Sequence, residues 1–249
     1  MTYRITDTAR YDINHFTIRE MTECGKALRT IGEGARSMEE VADRIVRYLY
    51  DNLIDGETGM RACALVRMFK THAYEGLDAE LQEFAQKMLG DKPAYPGMKC
   101  MVLLATTGDE QQWRSRKTSK GHKAVPLPSE EAINEIPMFL PLIEQFGMKA
   151  DMLIKPDPKF LLDLEQRAYN VYYVPEALGN PYISAQKGFI IPYKIRSILG
   201  FGGLLPSGEM FAVPIFFKVP VSREAADLFR PISLNVKIAI LPFGKAVFA

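Results

Sequence analysis

The sequence holds few of the residues that would announce a chemistry. Its 249 residues include three cysteines, three histidines and one tryptophan. Cys24, Cys63 and Cys100 are odd in number and far apart, which argues against a disulfide framework and suits a reducing, cytoplasmic setting. His15, His72 and His122 have no metal-ligand spacing with one another or with a cysteine, and neither H-E-x-x-H nor C-x-x-C occurs. An excess of one charge is also missing. Lys and Arg number 31 against 30 Asp and Glu, a net charge of +1, so nucleic acid is not an expected partner. No apolar run reaches the roughly 18 residues that cross a bilayer. The longest, around Met210 to Val221, is broken by Lys218 and two prolines. Residues 1–16 lack the apolar segment of a secretory signal, so neither export nor membrane insertion is expected. There is no internal repeat and no low-complexity segment.

What is present is an ordinary globular chain, 47% hydrophobic and 24% charged, able to bury a core. Its most regular stretch runs from Ile190 to Leu241. Ile195 to Leu205 is apolar and β-prone. Pro206-Ser207-Gly208 has the chemistry of a three-residue hairpin with a G1 bulge, and Met210 to Val219 returns as a second strand. Ser222 caps a helix with Glu224 in its first turn and Ala225, Leu228, Phe229, Ile232, Val236 and Ala239 or Ile240 at helical spacing. Pro214 conflicts with an internal strand, so that strand either bulges there or is an edge.

Upstream, Ser37-Met38-Glu39-Glu40 reads as a capping box. It opens a helix with Met38, Val41, Ile45, Tyr48, Leu49 and Leu53 on one side. Strands follow at Arg61–Lys70 and Lys99–Thr106, with a helix at Leu77–Leu89 between them. A helix from Glu130 is split or kinked by Pro137 and Pro141. Pro156-Asp157-Pro158 is a turn, Lys159–Arg167 a short helix and Tyr169–Val174 a short strand. Ile13 to Ala35 reads as a further helix, weakened by Gly25, Gly32 and Gly34.

This order, and above all the strand, G-E turn, apolar strand and S-x-E-capped helix of 190–241, resembles the GAF domain family. The resemblance implies an α+β (α/β) GAF/PAS-like fold: a central antiparallel sheet with flanking helices. It divides the chain into an N-terminal helical arm (1–36), a GAF-like domain (37–241) and a tail (242–249). It also implies that the segments around 108–130 and 172–193 line a small-molecule cavity, and that the terminal helices serve as homodimer contacts. It names no ligand or cofactor, since the family shares a fold and not a ligand.

The residues of those segments supply the candidates. Gly108 to Pro128 gathers Trp113, Arg114, Arg116, Lys117, Lys120, His122 and Lys123. These form either a solvated loop or an anion-binding lip, since Arg and Lys pair with carboxylate or phosphate. Tyr172, Tyr173, Tyr182, Phe189 and Tyr193 precede Arg196, a set that fits either a core or an apolar pocket with a few polar groups. The candidate ligand-binding set is Trp113, Arg116, His122, Tyr173, Tyr182, Tyr193 and Arg196; no metal ligand is assigned. Gly200-Phe201-Gly202-Gly203 is not a dinucleotide loop, because Leu205 stands where a third glycine is needed and a hairpin follows. Close backbone packing is the expected role of these glycines.

Three functions remain. The preferred one is a binding module that senses a small molecule and passes its state to a signalling partner through the terminal helices. A redox enzyme using Cys63 or Cys100 would need an exposed thiol of depressed pKa. A ligand-free interaction or dimerisation scaffold would have a filled core. Covalent bilin attachment is excluded on residues, since no cysteine follows Cys100.

Overall fold

The computed structural model describes residues 10–136, 139–145, 149–154 and 170–248. Local capping chemistry sets where its helices begin. Helix α1 (Ile18–Thr30) starts at Thr17, whose hydroxyl accepts from the Glu20 N–H while the Glu20 carboxylate accepts from the Thr17 N–H. That reciprocal box delays the helix relative to the apolar spacing, and Ile13–His15 forms a separate 3-10 turn capped by Asp12. Helix α2 (Met38–Asn52) is capped by Ser37, which accepts from the Glu40 N–H at 3.1 Å. Its Glu40 carboxylate does not complete a box; it accepts from the Arg36 N–H and from Arg44 instead. Helix α3 (Ala79–Leu89) is capped by Asp78. Three short helices follow, α4 (Glu130–Glu135), α5 (Phe139–Gln145) and α6 (Ala150–Ile154). The turn expected at Pro156–Pro158 and the helix expected at Lys159–Arg167 lie outside the described residues.

The strands are β1 (Tyr11–Asp12), β2 (Leu53–Ile54), β3 (Cys63–Ala73), β4 (Lys99–Gly108), β5 (Ala124–Leu127), β6 (Asn170–Val174), β7 (Ser197–Leu204) and β8 (Met210–Phe217). The first two form a small parallel pair. The other six make one antiparallel sheet in the order β5-β4-β3-β8-β7-β6. This is the expected α+β fold, a central antiparallel sheet with flanking helices. The β7–β8 hairpin turns at Gly208 (φ 79°), with the Gly208 N–H donating to the Leu205 carbonyl and the Leu205 N–H to that of Glu209. Strand β5 escaped the sequence pattern because Pro126 lies within it. As an edge strand it tolerates proline.

Helices α1, α2, α7 (Arg223–Asp227) and α8 (Phe229–Ile240) cover one face of the sheet. Leu199, Phe201, Phe211, Val213, Ile215 and Phe217 meet Val41, Ile45, Leu49, Phe229, Ile232 and Val236 there in an apolar core. Cys24 and Leu28 of α1 are fully buried in the same core, so this helix shares the sheet's packing rather than projecting from it. The segment after α8 folds back as well. The Ala246 and Val247 carbonyls accept from the Met38 and Glu39 N–H groups, satisfying the start of α2. Ser233 Oγ of α8 donates to the Gly202 carbonyl at 2.6 Å, so the glycines of β7 do admit a close helix approach.

The buried Lys70–Glu209 pair ties the hairpin turn to β3. Lys70 is 1% exposed, and its Nζ lies 2.6 Å from Glu209 Oε2 and 3.1 Å from the Thr71 carbonyl. Ser207 Oγ also donates to Glu209, and Thr71 Oγ1 accepts from the Met210 N–H. Burial would raise the Glu209 carboxyl, but Lys70 outweighs it and holds the carboxyl below its usual range. A depressed carboxyl contributes stability that is complete above its unfolded pKa, about 4.3, and is lost as pH falls through the folded value. Glu209→Ala strands a buried ammonium and is expected to cost about 3–5 kcal/mol, whereas Lys70→Met with Glu209→Leu recovers most of it. Urea unfolding at pH 7 and pH 4 checks both statements: the wild type loses stability on acidification and the double variant loses less.

Candidate functional site

The second face of the sheet is only partly covered. Leu65, Arg67 and Phe69 of β3 and Ala212, Pro214 and Phe216 of β8 point to that side. The 111–123 segment, helices α4 to α6 and the 175–195 segment pack over it. They leave a cavity of about 570 Å³, within the range of small-molecule sites, roughly 300–1,000 Å³. Its wall is mostly apolar and its polar groups are few: Arg67, Gln112, His122, Ser184 and Tyr193.

An aromatic cluster makes one side. Trp113 meets Tyr193 edge-on at 4.5 Å and Phe189 at 5.6 Å, and Phe189 meets Phe216 at 4.9 Å. Gly108, at the end of β4, is required beneath it. A Cβ there would stand 2.7 Å from the Ala64 carbonyl oxygen and 2.9 Å from the Trp113 ring. The 111–123 segment is held in place by its own cations. Arg116, 11% exposed, makes a bidentate pair with Glu39 at 2.9 and 2.8 Å. Lys123 reaches Glu80 at 2.7 Å, and Arg47 donates to the Arg114 carbonyl.

The opposite lip turns on Gln186. Its Nε2 donates to the Ala177 and Ile183 carbonyls and its Oε1 accepts from the Gly179 N–H. Gln186–Ile190 then winds as a single π turn, a rare conformation often found at functional sites, and places Gly188 and Phe189 on the cavity. Among the described residues, His122 (φ 60°) and Lys194 (φ 54°) are the non-glycine residues with left-handed backbone. One lines the cavity and the other follows a residue that does. Strained backbone of this kind gathers where surrounding structure enforces it.

Arg67 is the permanent charge on the wall. It lies mid-strand in β3, and its Nε is buried without a hydrogen-bond partner. No carboxylate among the described residues pairs with it. Burial pushes its guanidinium down to about 10, which leaves it charged at neutral pH. Desolvation and the nearby Arg67 charge hold the His122 imidazole below its ordinary value, so neutral imidazole is favoured. The backbone around Arg67 is irregular on both sides. The β3–β4 register shifts between Met68 and Phe69. Pairing of β3 with β8 lapses at Arg67 and Met68, opposite Val213 and Pro214. Strand β8 is therefore internal, and its proline is accommodated by a gap in the ladder rather than at an edge.

The sequence candidates divide. Trp113, His122 and Tyr193 stand together on the cavity wall. Arg116 lies outside it, committed to Glu39 with its guanidinium over the Phe248 ring. Tyr173 is also outside; its hydroxyl donates to the Val221 carbonyl and its ring faces Arg223. Tyr182 is 66% exposed, and Arg196 is exposed, its backbone bonded to Phe217 and Ala177. Arg67 also lines the cavity and is not among the sequence candidates, although a charge flanked by Leu65, Val66, Met68 and Phe69 is visible in Arg61–Lys70. Cys63 and Cys100 are fully buried in separate clusters, and burial raises both thiols, the reverse of an activated nucleophile. Among the described residues, no group of three or more His, Cys, Asp or Glu could hold a metal ion. No described helix is long and apolar enough to cross a membrane.

No family model and no curated protein matches the chain. Solved structures do. The chain is similar to GAF domains of known structure. That of an Acinetobacter phosphoenolpyruvate-protein phosphotransferase is 12% identical with a TM-score of 0.44, over 94% of this chain and 99% of that one. The chromophore-binding domain of a bacteriophytochrome from R. palustris is 9% identical with a TM-score of 0.43, and the match covers 95% of this chain and 63% of that one. A phycocyanobilin-bound GAF domain of a cyanobacterial phytochrome is 10% identical with a TM-score of 0.41, over 90% and 94%. At these identities the likeness concerns fold alone, and no residue role is carried over.

Gln186→Leu removes the side-chain donor to the carbonyls of residues 177 and 183 and is expected to loosen this lip by about 1–3 kcal/mol. Hydrogen exchange checks it. The Gly179 and Ile183 amides should exchange faster by one to two orders of magnitude, roughly RT per e-fold, while β3 and β8 amides are unchanged.

Proposed function

We propose that the chain is a small-molecule-binding sensor module of the signalling type, working in the cytoplasm. The carrying observation is the cavity of about 570 Å³ on the open face of the sheet, walled by aromatic and aliphatic side chains with a few convergent polar groups. A filled core would be expected of a pure scaffold. No cysteine lines the cavity, so the ligand is held without a covalent thiol link.

The same strands that floor the cavity carry the helices on their other side. Binding energy spent in closing the 111–123 and 183–193 segments onto a ligand is passed through β3 and β8 to α1 and α8. Leu234 and Ile238 of α8, with Leu241 just beyond its end, form an exposed apolar stripe, a suitable contact for a second copy or for a signalling partner.

Native mass spectrometry of the purified protein, compared with its denatured mass, tests both parts. The native ion is expected to carry the extra mass of a small organic molecule. Ala185→Trp, which fills the cavity from its lip, should remove that mass while the melting temperature changes little. Ile238→Glu should shift a dimeric ion to monomer and retain the ligand mass. A bare wild-type ion that also fails to take up apolar probes would sink the sensor reading.

A further inference from the structure

We infer that the cavity takes a planar, largely apolar monocarboxylate, with Arg67 as the anion anchor; this rests on the cavity being a ligand site. The argument is one of unbalanced charge. Arg67 is a permanent cation on an apolar wall, without an ion-pair partner among the described residues and with a buried, unpartnered Nε. An isolated buried charge is costly unless something compensates it. A second orphan sits beside it. Thr106 pairs with Arg67 across β3 and β4, so the two share a face of the sheet, and Thr106 Oγ1 is buried with no hydrogen-bond partner. Two neighbouring polar groups of one sheet face are thus left unsatisfied, and Arg67, the one that lines the cavity, marks a place prepared for an incoming acceptor.

The neighbouring groups narrow the chemistry. None of the covering segment's cations, Arg114, Arg116, Lys117, Lys120 and Lys123, lines the cavity, and Arg116 and Lys123 are engaged by Glu39 and Glu80. One fixed positive charge matches one negative charge. A phosphate monoester, approaching two charges at neutral pH, would bring a surplus into an apolar chamber. The planar fork of arginine favours a carboxylate, and the edges and faces of Trp113, Phe189, Tyr193 and Phe216 favour a flat ring system. His122 and Gln112 stand on the same wall for any further polar substituent.

Two probes of one shape test this. Anthracene-9-carboxylate and anthracene-9-methanol differ at one charged group, and both accept excitation energy from tryptophan. Trp113 is the chain's only tryptophan and lines the cavity, so energy transfer reports binding there. In the wild-type full chain the carboxylate should bind more tightly than the alcohol. Arg67→Met should weaken the carboxylate by roughly ten- to a hundredfold, the worth of a charge-assisted hydrogen bond, and leave the alcohol within about threefold. Arg67→Lys should keep part of the preference, and Arg196→Ala, at an exposed arginine outside the cavity, should change neither probe. If Arg67→Met does not fold, the Arg67→Lys and wild-type preferences still decide. Alcohol binding without a carboxylate preference, or a preference that survives Arg67→Met or falls equally in Arg196→Ala, overturns the anion anchor and leaves the cavity standing. Failure of both probes to draw energy from Trp113 in the wild type overturns the cavity reading and the anchor together.

Discussion

Proline has no amide hydrogen, and Pro214 stands in an internal strand with a neighbour on each side. The ladder between β3 and β8 opens at that point, and the adjoining register of β3 with β4 slips one residue further along. Arg67 lies in this irregular stretch. A regular, fully paired sheet at this position would present a smooth pleat suited to ordinary apolar packing. The interrupted one presents a half-buried arginine whose buried Nε has no partner and a buried threonine with hydrogen-bonding capacity unused. A missing hydrogen-bond donor in the backbone thus coincides with an unmatched set of donors in the side chains, and the cavity forms over both.

The two faces of the sheet are built on different principles. The helical face is closed by burial of interlocking apolar side chains, with the Ser233 to Gly202 bond as a buried polar contact inside it. The cavity face is closed by straps. Arg116 on Glu39 and Lys123 on Glu80 fasten one segment to helices that belong to other parts of the fold, and Gln186 buckles the other to itself. Partly buried ion pairs and a single amide give position without filling space. The result is a rigid floor with covers whose stability is local, the distribution expected where a ligand must enter and leave.

The fold was legible in the sequence where periodicity and caps agreed. The β7–β8 hairpin, the Ser37 and Ser222 caps and the long apolar strands all follow from local chemistry. Legibility failed where a local rule has a positional exception. Pro126 concealed β5, because proline is tolerated at an edge and nothing in the residues says which strand is the edge. The Thr17 box was overlooked in favour of apolar spacing that begins earlier. Trp113, His122 and Tyr193 belong to stretches dense in aromatic and basic residues, and these three line the cavity. The same stretches hold Arg116, whose charge is spent on Glu39, and Arg196, which faces solvent; charge density in a sequence does not reveal which cations already have partners. Arg67 ran the other way. Its signal was isolation, a single charge amid Leu, Val, Met and Phe, and its meaning depended on the absence of a partner, which only three dimensions disclose.

The sheet's borders have a consequence for assembly. A bare outer strand is a template on which another chain can stack, and this sheet offers little of one. Strand β5 is four residues long and carries Pro126, which has no N–H to give. At the other border, the Tyr173 N–H of β6 is already taken by the Gln145 side chain at 3.2 Å. Growth by strand addition is discouraged at both margins. What the fold leaves exposed for contact is therefore its helical surface and loops, and the sheet stays a closed unit of six strands.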